Sequence, residues 1–240
     1  MNLEQISSKN LSKDLAYLFG VYLTDGSISK YESYSFSLKA IDKDFVQHTL
    51  DSFKRIHPES KAKIFMQKNR TRYWDDGRIS KTQDQYCIGL GFAKFGDFFK
   101  NQTNSKHHIP YLIWDAPLTI KKWFIAGVMD GNGWISKTKR KGWKDKGWVG
   151  KYNGYQYRIG IGKTEESWIH EFKDLLDKMG VKTLKKEIYK RSSRNKIIVR
   201  FGIKIDSFVS NGLFFTIKRK QDRVKLLRSV QRLDAADPTG

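Results

Sequence analysis

Two polar residues stand at equivalent ends of two apolar stretches of the sequence. Asp25 follows the apolar run of LAYLFGVYLTDGSISK (residues 15–30). Asn132 follows the apolar run of WFIAGVMDGNGWISK (residues 123–137). A carboxylate at the C-terminal end of a helix faces the negative end of the helix dipole, at a cost of about 0.3–1 kcal/mol. A divalent cation would offset that cost, because Mg²⁺ binds carboxylate oxygens together with phosphate oxygens and water. Asp25 is therefore a candidate ligand for a metal that activates water against a phosphodiester.

The two stretches repeat with one spacing. Gly20 and Gly127 are 107 positions apart, and so are Asp25 and Asn132. In isolation, Thr-Asp-Gly is typical of a simple turn, but the repeat indicates two similar halves with chemistry at each helix end. We expect the first helix to have Ser12 as its N-cap and Gly26 as its stop. Gly20 and Gly127 would let the two helices approach closely.

The composition points to a polyanionic partner. The 240 residues include 46 Lys and Arg against 25 Asp and Glu, a formal charge of +21. Such an excess favours nucleic acid over a merely basic soluble protein. Cys87 is the only cysteine, which excludes an intrachain disulfide, and His107 and His108 lack further zinc ligands at suitable spacing. No apolar run approaches the ~20 residues of a bilayer span, and no secretion signal is present, so we expect a soluble, intracellular protein.

The hydrophobic pattern predicts an α+β fold with antiparallel sheets. Each half alternates helical periodicity with period-two strands in the order αββαββα, which a parallel α/β sheet would not give. We expect a first half at residues 1–106, a linker at 107–119, a second half at 120–234 and a disordered tail at 235–240.

The strands that alternate apolar and polar residues would each bury one face and expose the other. The exposed faces carry basic, amide or small residues, and glycines such as Gly89, Gly160 and Gly202 would let a backbone come close to a partner. An ordinary solvated face would look similar, but four such strands on a chain of this charge favour a DNA-facing saddle. The candidate DNA-binding residues are Ser35, Ser37, Lys39, Arg70, Arg72, Gln83, Gln85, Gln156, Arg158, Arg191, Arg194, Lys196, Arg200 and Lys204.

LFGVYLTDG (residues 18–26) and IAGVMDGNG (residues 125–133) both resemble the nine-residue motif of the LAGLIDADG homing endonucleases. Two motifs in one chain are similar to the monomeric, pseudo-symmetric members. The resemblance implies that the motif helices pack at the centre between the halves and that the sheets saddle the DNA major groove. It also implies cleavage of both strands of a long asymmetric site with a divalent metal, Mg²⁺ or another such as Mn²⁺ or Ca²⁺.

The resemblance implies a role for particular residues at each motif end. Metal would be bound at Asp25 and Asn132, with the adjoining Gly26 and Gly133. Family members also place a lysine near the site in each half. That lysine is predicted to be Lys106 in the first half and Lys218 in the second, with Lys220 as an alternative to Lys218. A lysine that only touches DNA phosphate is an equally good interpretation of each.

Asn132 departs from the family pattern, which has an acidic residue there. An amide oxygen can still bind a metal, but the charge that attracts the cation and lowers the pKa of bound water is gone. Asp130 does not replace it, because its counterpart in the first motif is Leu23. A natural asymmetric site, a nicking or slow enzyme, and a deliberate removal of charge all remain open, and we expect impaired cleavage.

Two alternatives to an endonuclease remain. One is a protein of the same fold that binds without cleaving, either an RNA maturase or a DNA-binding regulator, for which no second carboxylate is needed. The other is a generic basic nucleic-acid binder whose helix repeat is only a duplication of the core.

Overall fold

The computed structural model describes residues 3–69, 71–81, 83–139, 155–164, 167–185, 187–191 and 196–236. A 3-10 turn at Leu3–Gln5 precedes the first helix. The helices are α1 (Lys13–Leu23), α2 (Lys43–Ile56), α3 (Ala93–Gln102), α4 (Tyr111–Trp114), α5 (Leu118–Asn132), α6 (Ser167–Lys178), α7 (Ile205–Ser210) and α8 (Lys218–Ala236). The strands are β1 (Ser27–Lys30), β2 (Tyr34–Ala40), β3 (Phe65–Gln67), β4 (Thr71–Tyr73), β5 (Ile79–Lys81), β6 (Gln85–Gly91), β7 (Gly133–Lys139), β8 (Tyr155–Thr164), β9 (Glu187–Arg191) and β10 (Lys196–Ile203).

The chain divides into two compact units, Met1–Gly131 and Asn132–Gly240. Helix α5, which carries the second motif, belongs to the first unit except for its last residue. The halves predicted at residues 1–106 and 120–234 were defined by the sequence repeat. The two units are defined by which residues pack together, so their boundary differs.

Helix α1 is buried from Asp14 to Leu23, as expected of a helix that is apolar on all sides. The Leu15 N–H donates to the Ser12 hydroxyl at 3.2 Å, so Ser12 is the N-cap. The helix ends at Leu23, three residues before Gly26. The Gly26 N–H donates to the Val21 carbonyl at 2.8 Å, and this bond closes the end of α1, so Gly26 caps the helix as predicted. Packing also requires a glycine at this position, since a Cβ there would lie 2.6 Å from the Phe36 ring.

The first unit contains an antiparallel sheet of strand order β1-β2-β6-β3. The period-two alternation of β2 buries Tyr34, Phe36 and Leu38 on one side. Helix α2 packs against β2 and β6, and α3 packs against β2. Aromatic rings fill the space between them, with Phe53 and Phe99 both in contact with Phe92.

A separate two-stranded hairpin, β4–β5, interrupts the first unit between β3 and β6. The sequence pattern predicts one strand across residues 61–74, but the structure divides this segment into β3 and β4. Gly77 turns the hairpin with a φ of 78°, a left-handed conformation that favours glycine.

The second unit contains an antiparallel sheet of order β7-β8-β10-β9. Ignoring the extra hairpin, each sheet places its strands in the order first, second, fourth, third. The core of this unit includes the buried Trp168, Phe172, Phe201 and Phe208. The predicted α+β fold with two antiparallel sheets is confirmed.

The ends of helices α6 and α8 bear on two features of the sequence. After α6, Gly180 has a φ of 74° and the Val181 N–H donates to the Leu176 carbonyl. This closure is the one expected where a glycine follows an amphipathic helical segment. Helix α8 continues to Ala236, and the rest of the predicted tail, residues 237–240, lies outside the described residues. Within the described residues, no helix is both long and apolar enough to cross a membrane.

Candidate active site

Helices α1 and α5 contact each other through glycine within the first unit. A Cβ built on Gly20 would lie 2.3 Å from the Phe124 carbonyl oxygen, and one on Gly127 would lie 2.2 Å from the Tyr17 carbonyl oxygen. Tyr17 and Phe124 are themselves 107 positions apart. The two motif helices are therefore related by a local two-fold arrangement, with backbone against backbone at the crossing.

The helix pair is not symmetric at its C-terminal end. Thr24 and Gly131 occupy equivalent positions of the repeat, and a Cβ on Gly131 would lie 2.1 Å from the Thr24 hydroxyl oxygen. The Thr24 hydroxyl donates to the Gly20 carbonyl at 3.0 Å. The side chain of the first motif thus occupies the space that the second motif leaves open.

The predicted metal-binding side chains lie at different points of their helix ends. Asp25 is exposed, two residues beyond the end of α1, whereas Asn132 is half-buried and is the last residue of α5. The Asn132 Nδ2 is buried and has no hydrogen-bond partner among the described residues. A buried amide nitrogen without a hydrogen-bond partner costs about 1–3 kcal/mol.

Lys106 reaches the end of the first motif. Its Nζ donates to the Gly26 carbonyl oxygen at 2.5 Å, across 80 positions of sequence. Asn104, Ser105 and Lys106 have φ angles of 43°, 52° and 78°. Three consecutive left-handed residues other than glycine are unusual, at roughly 1–2 kcal/mol each. Backbone strain of this kind concentrates at functional sites.

Two neighbours fix the Lys106 turn. Thr103 is fully buried; its hydroxyl donates to the Phe99 carbonyl at 2.8 Å and accepts the Lys106 N–H at 3.2 Å. The Tyr22 ring centroid lies 4.9 Å from the Lys106 Nζ, within range of a cation–π contact. Burial raises the pKa of Tyr22, and a hydrogen bond with the Thr103 side chain offsets part of that rise.

Lys220 occupies the corresponding place in the second unit. Its Nζ donates to the Gly133 carbonyl oxygen at 2.8 Å, and the residue is only 9% exposed. The Phe215 ring centroid lies 5.5 Å from this ammonium. Lys218, predicted from the sequence for this role, is exposed at the first residue of α8. The residue that contacts the motif end is therefore Lys220, the alternative to Lys218, and the catalytic role of either lysine stays a prediction.

Two of the predicted DNA-binding residues lie together on one face of the first sheet. Ser37 and Lys39 are exposed on β2 and pair with Gly89 and Cys87 of β6, which places them on the same face. The Lys39 Nζ donates to the Gln67 side chain at 3.2 Å. A Cβ on Gly89 would meet nothing within 4 Å, so this part of the face is open. Cys87, however, is fully buried.

The remaining candidates of that sheet lie at its margins. Ser35 is half-buried, and its hydroxyl is 2.9 Å from that of Ser29. Gln85 is half-buried at the start of β6, and Gln83 is exposed in the segment before it.

The corresponding face of the second sheet is partly filled by the protein itself. A Cβ on Gly160 would lie 2.4 Å from the Trp134 ring, and one on Gly202 would lie 2.8 Å from the Leu184 side chain. The expectation that these glycines admit a partner is therefore wrong. Arg200 is exposed opposite Gly162 on β8.

Other candidates on the second sheet have mixed placements. Arg158 is half-buried on β8, and Lys204 is exposed after β10, as the N-cap of α7. Ile197 is on the apolar side of the period-two alternation of KIIVRFGIK (residues 196–204), which predicts burial, but it is 42% exposed. Arg70 and Arg194 lie outside the described residues. The backbones of Arg72, Gln156, Arg191 and Lys196 are in strands, and their side chains lie outside the described part of the chain.

Similar sequences come from an archaeon. The chain is 24% identical over 234 residues to the uncharacterized protein MJ0398 of Methanocaldococcus jannaschii, covering 92% of this chain and 74% of that protein. It is 26% identical over 174 residues to the uncharacterized protein MJ0314 of the same organism, covering 72% of this chain and 56% of the relative's length. No protein-family profile matches the chain.

Similar solved structures are endonucleases. I-DmoI in complex with DNA and Mn is 17% identical with a TM-score of 0.51, covering 84% of this chain and 94% of that one. The homing endonuclease I-WcaI bound to its DNA recognition sequence is 14% identical with a TM-score of 0.53 (91% and 88% covered). A mutant of I-SmaMI is 12% identical with a TM-score of 0.53 (95% and 94% covered). The chain has the LAGLIDADG homing endonuclease fold.

Within the LAGLIDADG fold, sequence reasoning missed the residues that support each lysine. Thr103, Tyr22 and Phe215 had no motif to mark them, because each acts through a contact between distant segments. No group of three or more His, Cys, Asp or Glu side chains in the described residues could hold a metal ion. A cation at either motif end would therefore depend on one side chain, a main-chain carbonyl and oxygens from a substrate.

Proposed function

We propose that this chain is a homing-type DNA endonuclease, acting as a monomer on a long asymmetric double-stranded site. It would hydrolyse phosphodiesters of both strands with Mg²⁺ or a related divalent cation, and unequally, because its two motif ends differ. The observation that carries the proposal is the repeated motif end, where a lysine ammonium binds the carbonyl of the last motif glycine in each unit. Asp25 precedes that glycine in one unit and Asn132 precedes it in the other.

The charge and the open sheet face support a DNA partner. The formal charge of +21 favours a polyanion, and the face around Ser37, Lys39 and Gly89 is polar and unobstructed. Two structures of similar fold contain DNA, I-DmoI with Mn and I-WcaI with its recognition sequence. An antiparallel ribbon of this kind fits the major groove.

The residues at the first motif end fit a divalent cation. The Gly26 carbonyl already binds a positive group, and the neighbouring Asp25 is exposed and carries the negative charge that Mg²⁺ requires. A bound divalent ion would lower the pKa of a water and stabilise charge on the leaving oxygen.

The chain's own groups would divide the remaining work. Asp25 would contribute charge and orient the attacking water, while Lys106 and Lys220 would stabilise negative charge on the scissile phosphate. Asn132 contributes an oxygen without charge, so its half-site has weaker electrostatic stabilisation. We therefore expect one strand to be cut faster than the other, and nicked DNA to accumulate.

Asn132 also favours a second candidate, a protein of this fold that binds nucleic acid without cutting it. A neutral residue at one catalytic position is what a DNA-binding regulator or an RNA maturase could tolerate. A maturase would bind structured intron RNA more tightly than duplex DNA.

The deciding experiment compares the unsubstituted protein with Asn132→Asp on a randomised duplex library in Mg²⁺. Cut and nicked products are sequenced separately, and Asp25→Asn serves as the negative control. The proposal predicts specific double-strand cuts by Asn132→Asp, mostly nicks by the unsubstituted protein and no products from Asp25→Asn. Absence of cleavage by all three proteins, with tight binding of intron RNA, would establish the maturase instead.

A further inference from the structure

Two lysines from unlike places in the chain reach the same kind of atom. Lys106 follows α3 and lies 80 positions beyond Gly26, whereas Lys220 is in the first turn of α8 and lies 87 positions beyond Gly133. These separations differ, so the sequence repeat does not by itself place the lysines. Each unit nevertheless arrives at the same contact, an ammonium donating to the carbonyl oxygen of the last motif glycine.

Each contact has its own support. Lys106 is delivered by a turn of three left-handed residues and lies over the Tyr22 ring. Lys220 is buried and lies beside the Phe215 ring. An aromatic face stabilises a desolvated cation. A lysine that merely awaited a phosphate would need neither the strained turn nor the burial.

The carbonyls that the lysines bind belong to the residues proposed to accept the divalent cation. A lysine ammonium is a compact point charge, and a second cation at the same oxygen would be repelled by it. The ammonium and the metal therefore compete for one position.

We propose that Lys106 and Lys220 are resident counter-cations, which hold the motif ends in the metal-free protein and must withdraw before a divalent cation binds. This rests on the metal site of the proposed function. DNA supplies the exchange, because a backbone phosphate gives each ammonium a new partner and gives the metal further oxygen ligands. Metal loading is thereby coupled to DNA binding, and the free protein binds metal weakly.

The test measures Mn²⁺ affinity without DNA, by calorimetry and by the loss of the free-ion electron paramagnetic resonance signal. Lys106→Met removes the ammonium, and Lys106→Gln keeps a neutral donor in case the turn needs one. Lys94→Met, an exposed residue of α3, is the charge-matched control. Lys220→Met is measured in the Asn132→Asp background with Lys182→Met as its control. We expect each counter-cation variant to bind Mn²⁺ about tenfold more tightly than its control, since a charge repulsion is removed.

Three outcomes distinguish the counter-cation role of the lysines from the divalent-metal site of the proposed function. The counter-cation role is supported by tighter binding that Asp25→Asn abolishes in the Lys106 variants, and by tighter binding in Lys220→Met that is lost without Asn132→Asp. Unchanged or weaker Mn²⁺ binding in Lys106→Met and Lys106→Gln, still abolished by Asp25→Asn, overturns it and leaves the metal site intact. Mn²⁺ binding that is insensitive to Asp25→Asn in every variant overturns both.

Discussion

The Tyr17 hydroxyl donates a 2.9 Å hydrogen bond to the Asp130 carboxylate between α1 and α5, 113 positions apart in sequence. Tyr17 is fully buried and Asp130 is 2% exposed. The positions related to this pair by the repeat hold Phe124 and Leu23, which cannot form such a bond. The backbones of the two helices are thus related by a local two-fold arrangement, but the buried hydrogen bond is formed on one side of it only. Asp130 is used to pack the helices.

Replacing Tyr17 with phenylalanine tests that bond. Tyr17→Phe keeps the ring and leaves the buried Asp130 carboxylate with one donor fewer, so we expect the free energy of unfolding to fall by about 1–3 kcal/mol. Urea denaturation followed by circular dichroism measures the change. Tyr111→Phe, at an exposed ring on α4, is the matched control and should be neutral. Equal effects of the two substitutions would contradict the assignment.

A glycine-to-alanine substitution should have opposite effects on stability at the helix crossing and on the open sheet face. Gly20→Ala places a Cβ 2.3 Å from a backbone oxygen of α5, and backbone cannot move aside cheaply. We expect a loss of about 1–3 kcal/mol or more from overpacking. Gly89→Ala has nothing within 4 Å and should be neutral or stabilising by up to about 1 kcal/mol. Thermal unfolding of both variants would show whether the order is reversed.

Thr103 predicts a link between stability and the lysine position. Thr103→Val keeps the shape but removes the hydroxyl that accepts the Lys106 N–H and bonds Tyr22. We expect a loss of about 1–3 kcal/mol together with faster hydrogen exchange at the amides of residues 105–108. Thr49→Val, also a buried threonine whose hydroxyl bonds a helix carbonyl, should lower stability without changing exchange in that turn.

His48 predicts a pH dependence of stability. Burial lowers its pKa, and Arg55 and Lys13 lower it further, while Asp14 and Asp51 act in the opposite direction. The unfolded chain therefore takes up a proton near pH 6.5 that the folded protein resists. This contribution to stability is fully present above pH 6.5 and is lost as the pH falls from there towards the folded pKa.

The measurement compares the protein with His48→Phe, which retains an aromatic ring beside Trp123 and does not titrate. The free energy of unfolding is taken from urea curves between pH 7.5 and 5. The unsubstituted protein should lose more stability than the variant over this range. Parallel curves would show that His48 is not the group responsible.

The local features of this protein could be predicted from its sequence. The Ser12 cap, the burial of β2 and the Gly180 stop all depend on residues within one turn or one strand of each other. The 107-residue repeat is also a property of the sequence, and it predicted both the related halves and the glycines at the helix crossing.

Tertiary structure decided the rest, because the deciding contacts join distant segments. The sequence predicted Lys218, with Lys220 as the alternative. Residues two apart on a helix point about 200° apart, and the packing of α8 against β7 turns Lys220 inward. Gly160 is open by its sequence pattern, yet the Trp134 ring lies over it in the folded sheet. Asp130 and Asn132 are two residues apart on one helix, yet one is bonded to Tyr17 and the other has an unpaired amide nitrogen among the described residues. Local periodicity determines which elements form, and the long-range fit between elements determines which of their polar groups remain available for chemistry.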